Sequence, residues 1–565
     1  MNEFSRHFLM KELDSLVDKP LESLDQLKKL IDKYSTLYKD LDGRRTELYR
    51  KLCSNFSYVS GMKFLLFQKR VYPHALKYKS KIRSRICFCP FKSKLPVETY
   101  GNFLRIITND VQLFREKNIP LFGKEERLKG KYLSLMKKQK VMFDGKNRTI
   151  RDIQRYLLDP DAAKREKAWW LFNEKLTSIK PKLDKFLDDL IATRTEIALN
   201  SGFNNYRDYM YRYKGRILYT PEDLTGFYNT VEEVVVPVCN SIARRKSEKL
   251  GLAELNVWDI DIIIDSTDLK PYKNGADLLL KLDRVFSGID EEFGRVFRKM
   301  RSENTLDLES RKGKLPVGFT MPLYNSNTAF ICLNCSMENG KHEDITGIHH
   351  EFGHALHFSL LDDRGINEYC DFLNMPGEIM ELASITVELL AMDHYDVYYS
   401  DRIQCAKAKI CQYKRFFNLL STIVMMDAFE QRIYTDGAKS SDERDDYFAS
   451  ILDRFFPYIN WKGMEDQKRN RWLRYPHPYQ LPLYFIEYAF PLLGAISIYR
   501  EYKKDSRKTM AQFLDFLRTG YSKPVDETYK VAGIEFDFSR DYVKNITEFV
   551  INEIEEEKKI LNRSE

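Results

Sequence analysis

Apolar side chains recur at intervals of three and four residues along most of this chain, a spacing that places them on one face of a helix. The clearest example runs from residue 162 to residue 200. The pattern changes near 315–335, where short apolar runs predict β-strands. No Pro-, Gly- or Ser-rich linker, internal repeat or low-complexity tract divides the chain. The pattern therefore predicts a mainly α-helical fold with a small β-sheet.

One helical segment carries a motif that points to metal chemistry. His350 and His354 are four residues apart, so a helix presents both imidazoles on one face, where one ion can bind them. Glu351 is turned by about 100° from His350 along the helix, beside such an ion rather than on it. That position suits a general base that activates water. The motif predicts a catalytic zinc site with three protein ligands and one open position.

The third ligand is expected on another helix. His357 lies about 10 Å beyond His350 along the helix axis, which is too far for one ion with bonds of roughly 2 Å. The next acidic segment begins at Pro376-Gly377, and its helical, largely apolar pattern predicts a buried helix. Buried carboxylates are expensive unless they are paired or bind a metal, so a glutamate of this helix is expected to complete the site. Spacing leaves Glu378 and Glu381 both open.

Three further residues refine the picture of the first helix. Gly353 lies inside the motif, and a glycine tolerated in an apolar helix predicts close packing or a substrate strand alongside. Asp344 is expected to cap the N-terminus of the helix. His349 points to another face, so we expect it to be a neighbour of the site rather than a ligand.

The two helices resemble those of the thimet oligopeptidase and oligoendopeptidase F family of zinc peptidases. The first helix has the family's H-E-F-G-H-x-x-H sequence, and the second has its E-x-x-S-x-x-x-E pattern from Glu381 to Glu388. The resemblance implies that His350, His354 and Glu381 bind one Zn²⁺ per chain. It also implies that Glu388 orients a zinc-binding histidine.

Other segments extend the resemblance over roughly residues 200–540. Gly318-Phe319 and the apolar run 329–334 resemble a strand that lies beside the bound peptide in the family. Residues 475–488 resemble the family's segment of one histidine and several tyrosines. Its candidates for stabilising the oxyanion of the reaction intermediate are His477, Tyr484 and Tyr488. Phe485 departs from the family's Pro-Phe-Tyr-Tyr order, which leaves open which tyrosine is the catalytic phenol.

The resemblance implies a mainly helical, two-lobed body around a deep substrate channel, with the small β-sheet next to the zinc helix. Residues 1–180 are expected to form part of the channel wall, and residues 181–565 to carry the catalytic site. The implied activity is hydrolysis of internal bonds in short, unfolded peptides with Glu351 as general base. We expect peptides as partners and no nucleic acid, and the sequence does not predict an oligomeric state.

Three other functions are compatible with the sequence. A channel closed at one end would give a zinc carboxypeptidase, which needs a cation for the terminal carboxylate of the substrate. The candidates for that cation are Arg469, Arg471 and Arg474. A peptide-binding protein without catalysis is the second alternative, although Glu351 and the ligands are intact. Nucleic-acid binding is the third, because residues 63–94 hold ten basic residues and no acid, but no nucleic-acid-binding motif accompanies them.

The composition of the chain indicates whether to expect a globular or a membrane protein, and in which compartment. The 565 residues are 43% hydrophobic and 31% charged with a net charge of +8, as expected for a soluble globular chain. No apolar run reaches the roughly 18 residues of a membrane span, and the first 30 residues lack signal-peptide and transit-peptide character. Nine scattered cysteines predict free thiols and a cytoplasmic location. Cys332 and Cys335 could form a redox pair or a metal half-site, but a coincidence within a strand explains them better.

Overall fold

The chain folds into a mainly helical structure, which confirms the expectation from its hydrophobic pattern. Helices make up 74% of it, and the strands form small sheets only. No described helix combines the length and the apolar character needed to cross a lipid bilayer. The computed structural model describes residues 6–55, 57–262, 264, 269–314, 318–324, 326–372, 374–435 and 440–562. Residues 1–5 of the N-terminal segment considered above therefore lie outside the described residues.

The first 160 residues form seven short to medium helices. Four of them, α1, α2, α4 and α5, share a buried apolar cluster that includes Ile31, Ile82 and Phe103. These seven helices are α1 (Arg6–Asp18), α2 (Leu24–Ser54), α3 (Tyr58–Arg70), α4 (Tyr72–Phe88), α5 (Val97–Leu113), α6 (Ile119–Lys138) and α7 (Ile150–Gln154).

The N-terminal cluster also reaches a distant segment of the chain. Ile366 and Tyr369 belong to the same cluster. The Tyr369 hydroxyl accepts a hydrogen bond from the Phe103 N–H at 3.0 Å. Beside it, Arg83 Nη2 donates to Glu368 Oε1 at 2.8 Å, and both side chains are buried. Residues 366–369 are therefore held by the N-terminal helices through apolar and ionic contacts.

The middle of the chain begins with a 39-residue helix, α8, whose N-terminus is capped by the Asp161 carboxylate. Residue 180, where we placed the division between two regions, lies within this helix. Along the N-terminal part of the chain, the apolar cluster of the first helices ends at Ile107, and the large cluster begins at Leu113. The helices of this part are α8 (Ala162–Asn200), α9 (Tyr206–Tyr213), α10 (Pro221–Val234), α11 (Val236–Lys249), α12 (Gly275–Ile289) and α13 (Glu291–Ser302).

The C-terminal part holds the two helices that carry the motifs, α14 and α16. It packs with the middle part into one large apolar cluster that extends from Leu113 to Ile554. Its helices are α14 (His342–Leu360), α15 (Asn367–Cys370), α16 (Gly377–Leu390), α17 (Arg402–Ile433), α18 (Ser441–Phe455), α19 (Glu465–Arg469), α20 (His477–Gln480), α21 (Ile486–Lys504), α22 (Ser506–Thr519), α23 (Val525–Val531) and α24 (Arg540–Asn562).

A three-stranded sheet lies against α14, as expected, in the order β4-β6-β5. Strand β6 (Thr328–Cys335) pairs in parallel with β4 (Leu306–Glu309) and antiparallel with β5 (Phe319–Leu323). Residues 315–317 of the predicted strand zone lie outside the described residues. Cys332 and Cys335 are three residues apart on β6, so their side chains point to opposite faces of the sheet. They pack in different apolar clusters.

The expectation of a single strand zone was incomplete. Strands β1 (Lys140–Phe143) and β2 (Lys146–Thr149) form a hairpin, and two-residue strands β3 (Leu255–Asn256) and β7 (Ile459–Asn460) pair in parallel. The hairpin turns at Asp144-Gly145, whose φ angles are +49° and +70°. Two successive positive φ angles are typical of a type I′ turn, for which Asp-Gly is a favoured sequence. The Asp-Gly pair was therefore a local sequence signal for this hairpin that the prediction of strands did not use.

Helix α14 begins earlier than expected. Its N-cap is Lys341, and Asp344 lies inside the first turn, so the expectation that Asp344 is the N-cap was wrong by three positions. The Asp344 carboxylate accepts the Lys341 N–H at 3.0 Å from the third helical position. An acid there satisfies an N–H that has no partner within the helix, which is the second half of a capping box.

Helices α14 and α16 cross at Gly353. A Cβ atom at residue 353 would lie 2.5 Å from the Ser384 Cα and 3.0 Å from the Ala383 carbonyl oxygen. The close neighbour of Gly353 is therefore the backbone of α16. Of the two explanations expected from the sequence, close packing and a substrate strand alongside, this contact agrees with close packing. Every residue of α16 except Met380 is buried, so the crossing lies deep in the core.

Replacing Gly353 by alanine tests this close approach. The new methyl group would meet backbone atoms, which no side-chain rotation can move. We expect Gly353→Ala to lower the free energy of unfolding by about 1–3 kcal/mol, as overpacking does, in denaturant titrations. Gly347→Ala on the same helix is the control, because a Cβ atom there meets nothing within 4 Å. Equal effects of the two substitutions would contradict the close crossing.

Candidate metal centre and active site

The side chains of His350, His354 and Glu381 meet where α14 crosses α16. The two histidine Nε2 atoms lie 3.3 and 3.6 Å from Glu381 Oε2. Two ligands bound tetrahedrally at zinc–ligand distances of about 2.0–2.1 Å are themselves roughly 3.3–3.4 Å apart. The donor types and their spacing therefore fit a zinc ion. In the described part of the chain, this is the one group of three such side chains whose ligand atoms converge, all within 4.8 Å of one another.

Glu388 fixes the orientation of His350. Its Oε1 atom lies 2.7 Å from His350 Nδ1, which leaves Nε2 to face Glu381 and His354. The other oxygen of Glu388 accepts hydrogen bonds from Gln412 at 2.8 Å and Arg415 at 2.9 Å. Burial alone would raise the pKa of Glu388, but Arg415 and the hydrogen bonds lower it to about 2. Glu388 is therefore an ionised carboxylate that holds the imidazole for a ligand role.

The charges around the three side chains suit a bound cation. Burial lowers the pKa of His354 to about 4, so its imidazole is neutral at neutral pH. Burial would also lower the pKa of His350, but hydrogen bonds to Glu381 and Glu388 raise it well above the usual value. Burial would raise the pKa of Glu381, and the two histidines lower it instead. Two ionised carboxylates thus lie in a buried space where a divalent cation would offset their charge.

Glu351 follows His350 on α14, and its carboxylate is held by Thr320 of β5. The Thr320 Oγ1 atom lies 2.7 Å from Glu351 Oε2 and 2.8 Å from the Glu351 carbonyl oxygen. Burial raises the pKa of Glu351, which makes its carboxylate a better proton acceptor. Thr320 was not expected from the sequence. The sequence signal for Thr320 was its hydroxyl group between the apolar residues Phe319 and Met321 in a predicted strand.

The two candidate tyrosines have different partners. The Tyr484 hydroxyl donates to Glu381 Oε1 at 3.0 Å, on the ligand carboxylate itself. The ring of Tyr488 lies 5.2 Å from that of Tyr484, and its hydroxyl forms no hydrogen bond with the described residues. Burial raises the pKa of Tyr488 well above its usual value, and the charges of Glu381 and Glu351 add to the effect. Tyr488 is therefore a protonated phenol near both carboxylates.

His477 lies in the same neighbourhood. Its ring packs against Phe485 with 4.2 Å between the centroids. Burial lowers the pKa of His477 to about 4, although the negative charge of Glu381 acts in the opposite direction. A neutral imidazole carries one N–H group that can donate a hydrogen bond. His477 thus lies close enough to Glu381 for that carboxylate to oppose the lowering of the His477 pKa.

Other residues considered as ligands lie elsewhere. Glu378 accepts a hydrogen bond from Tyr219 at 2.6 Å and is not among the converging ligand atoms of the described residues. His357 packs against Phe516 with 5.6 Å between ring centroids. His349 lies on another face of α14, where its Nε2 atom is 2.9 Å from the Tyr398 hydroxyl.

The arginines proposed for a carboxypeptidase are engaged by other groups. Arg469 forms an ion pair with Asp446 at 2.8 Å, and Arg474 forms one with Asp261 at 2.7 Å. Arg471 is buried against the ring of Trp461 at 5.7 Å. Each of these three guanidinium groups therefore contacts a side chain outside the converging ligand group.

Part of the basic segment 63–94 is used inside the fold. Lys77 pairs with Glu116 at 2.5 Å, and Lys79 lies 3.5 Å from Asp371. Arg83 pairs with Glu368 in the N-terminal cluster described above. These contacts give the segment a structural role.

The comparison with protein families identifies the chain. The family model described as "Peptidase family M3" matches residues 155–548, which is more than half of the sequence. This protein therefore belongs to peptidase family M3. The matched range includes both helices of the candidate metal centre and the segment with His477, Tyr484 and Tyr488.

Relatives with similar sequences confirm the resemblance to oligoendopeptidase F. The chain is 24% identical over 345 residues to the oligoendopeptidase F homolog of Borreliella burgdorferi, which covers 60% of this chain and 56% of that protein. It is 22% identical over 308 residues to oligopeptidase PepF of Bacillus subtilis, with 53% and 44% covered. The alignments thus span about half the length of these relatives.

Solved structures share the fold over nearly the whole chain. The structure described as PZ peptidase A with inhibitor 2 superposes with a TM-score of 0.89 at 21% identity, covering 97% of this chain and 96% of the other. Oligoendopeptidase-F from Enterococcus faecium superposes with a TM-score of 0.65 at 14% identity, covering 99% and 98%. The mainly helical architecture with small sheets is therefore that of the M3 peptidases.

Removing single carboxylates tests the metal centre. We expect Glu381→Ala to lose most of its zinc, because it removes one of three converging ligands, whereas Glu378→Ala should keep it. Glu388→Ala should weaken zinc binding by about 10- to 100-fold, because His350 loses its support. Zinc per chain is measured by atomic emission after equilibrium dialysis. Zinc loss in Glu378→Ala together with retention in Glu381→Ala would reverse the assignment of the third ligand.

Proposed function

We propose that this protein is a zinc-dependent oligopeptidase that hydrolyses internal bonds of short, unfolded peptides. The observation that carries the proposal is the convergence of His350, His354 and Glu381, with Glu351 next to His350 on α14 and within reach of the charges of His350 and Glu381. This arrangement combines a cation site with a neighbouring carboxylate that can accept a proton. Membership of peptidase family M3 supports the same reaction class.

The proposed chemistry assigns one role to each group around the scissile bond. His350, His354 and Glu381 would hold a zinc ion, which when bound would lower the pKa of a water molecule towards about 7 and act as a Lewis acid towards the substrate carbonyl. Glu351 accepts a proton from the attacking water and later donates it to the leaving amine. Thr320 keeps the Glu351 carboxylate in place through its hydrogen bond of 2.7 Å.

The oxyanion of the tetrahedral intermediate needs hydrogen-bond donors. We assign this role to Tyr488 and His477, because the Tyr488 hydroxyl has no partner among the described residues and the His477 imidazole is neutral. Tyr484 is already bound to Glu381, so we assign it the role of orienting that ligand. Phe485, which has no hydroxyl, contributes packing against His477.

We also propose a substrate class and a cellular location for this oligopeptidase. We propose that residues 1–180 form part of the wall of a deep channel that excludes folded proteins, and that residues 181–565 carry the catalysis. We expect no nucleic-acid partner. A cytoplasmic location is supported by the nine cysteines, which all lie in the described residues and form no disulfide bond.

The function is tested with a library of short peptides whose products are identified by mass. We expect internal cuts by the zinc-loaded wild type and a loss of turnover by several orders of magnitude in Glu351→Gln, which keeps its zinc. Glu343→Gln on the same helix is the control and should remain active. Release of single C-terminal residues would identify a carboxypeptidase instead. Zinc binding without any cut peptide would support a binding protein.

Substitutions of the proposed donors separate their roles. We expect Tyr488→Phe and His477→Phe each to lower kcat by about 10²–10³, as the loss of an oxyanion donor does, with zinc content unchanged. Tyr475→Phe in the same segment is the control. If Tyr488→Phe retained full turnover while Tyr484→Phe lost it, the two tyrosine roles would be exchanged. Loss of zinc in His477→Phe would assign that histidine to the metal centre.

A further inference from the structure

Leu483, the residue before Tyr484, has an unusual backbone conformation. Its φ angle is +56°, in the left-handed region that disfavours residues with a side chain. Leu483 is also fully buried, so its conformation is set inside the core. Such a conformation persists where surrounding groups determine it strongly. The neighbours of Leu483 therefore need to account for it.

Two ionisable side chains form hydrogen bonds with the backbone N–H and carbonyl groups of Leu483. The Leu483 N–H donates to Glu430 Oε2, and Arg216 Nη2 donates to the Leu483 carbonyl oxygen. Glu430 comes from α17 and Arg216 from the segment that follows α9, so the two contacts reach Leu483 from separate elements. Both side chains are buried, with 0% and 6% of their surface exposed. Together these two hydrogen bonds restrain the backbone of Leu483, and with it the orientation of the next residue, Tyr484.

Arg216 also acts on the helix that carries Glu381. Its Nη2 atom donates to Glu487 Oε1 at 2.7 Å. The other oxygen of Glu487 accepts the N–H of Gly377, the first residue of α16, at 3.2 Å. Arg216 therefore contacts the segment that presents Tyr484 and, through Glu487, the start of the ligand helix.

The fit around Glu487 leaves little room for movement. A Cβ atom at Gly377 would lie 2.3 Å from Glu487 Oε2, so this contact requires glycine. Lys214 pairs with Glu487 Oε1 at 2.6 Å, and its Nζ atom lies 4.8 Å from the centroid of the Tyr484 ring. The Tyr484 ring is thus flanked by the same ionic group that fixes α16.

We propose that Arg216 and Glu430 are positioning residues that hold Leu483 in its left-handed conformation and so direct the Tyr484 hydroxyl onto Glu381. Neither residue belongs to the converging ligand group. Glu430 acts on the metal centre through Leu483 and Tyr484, whereas Arg216 acts both through these residues and through Glu487 at the start of α16. The effect on turnover rests on the proposed oligopeptidase function, whereas the contacts themselves do not.

The test is a double-mutant cycle in the zinc-saturated, full-length protein with a peptide that the wild type cleaves. We expect Glu430→Leu and Arg216→Met to lower kcat by roughly 10- to 100-fold, the range for a misplaced catalytic group, with KM nearly unchanged. Glu430→Gln keeps an oxygen that accepts the Leu483 N–H and should retain turnover. Arg212→Met, on the neighbouring helix α9, is the control for the loss of a guanidinium.

The informative measurement is made in a Tyr484→Phe background. If Glu430 acts through the Tyr484 hydroxyl, Glu430→Leu should lower kcat there by less than about twofold, because interacting residues are non-additive. Arg216→Met should lose part of its effect there and keep the part that passes through Glu487. Full additivity, or single variants with wild-type kcat, would overturn the proposal. Arg216→Lys, which keeps the charge but shortens the reach, provides the same comparison if Arg216→Met does not fold. An inactive wild type would instead contradict the proposed function.

Discussion

The close crossing of α14 and α16 sets the main distances in the candidate site. Because Gly353 has no side chain, the backbone of α16 at Ser384 approaches α14 to a distance that a methyl group would not allow. This approach brings Glu381 Oε2 within 3.6 Å of both histidine Nε2 atoms. It also places Glu388, about two turns further along α16, against the other nitrogen of His350. The contact between Gly353 and the backbone of α16 therefore positions both Glu381, which faces the two histidines, and Glu388, which supports His350.

Helix α16 carries three buried carboxylates, and each is compensated in a different way. Glu378 accepts a hydrogen bond from Tyr219, and Glu388 is surrounded by Gln412, Arg415 and His350. Glu381 has Tyr484 on one oxygen, while the other oxygen faces the two histidines. Leaving an ionised carboxylate uncompensated in the core costs several kcal/mol. The three carboxylates thus differ in their surroundings, and Glu381 is the one whose free oxygen faces two histidines that could share a cation with it.

Local spacing predicted the helices, the histidine pair and the position of Glu351, because these features depend on residues a few positions apart. Spacing did not separate Glu378 from Glu381, since both belong to the same acidic helix, and only the family pattern did so. The Asp144-Gly145 hairpin and the start of α14 at His342 were missed although local signals existed. Gln412, Arg415 and Thr320 could not have been predicted, because their contacts join segments that are close only after the chain has folded.

The contacts of the N-terminal helices with residues 366–369 have a thermodynamic consequence. These residues lie in the connection between α14 and α16, so the element that joins the two ligand helices shares its apolar cluster with α2, α4 and α5. A ligand that binds only the folded state stabilises every part of the protein that must be folded for binding. A metal bound at this centre would thereby oppose the local unfolding of helices more than two hundred residues away in sequence. Slower amide exchange in those helices would then report that the metal is bound.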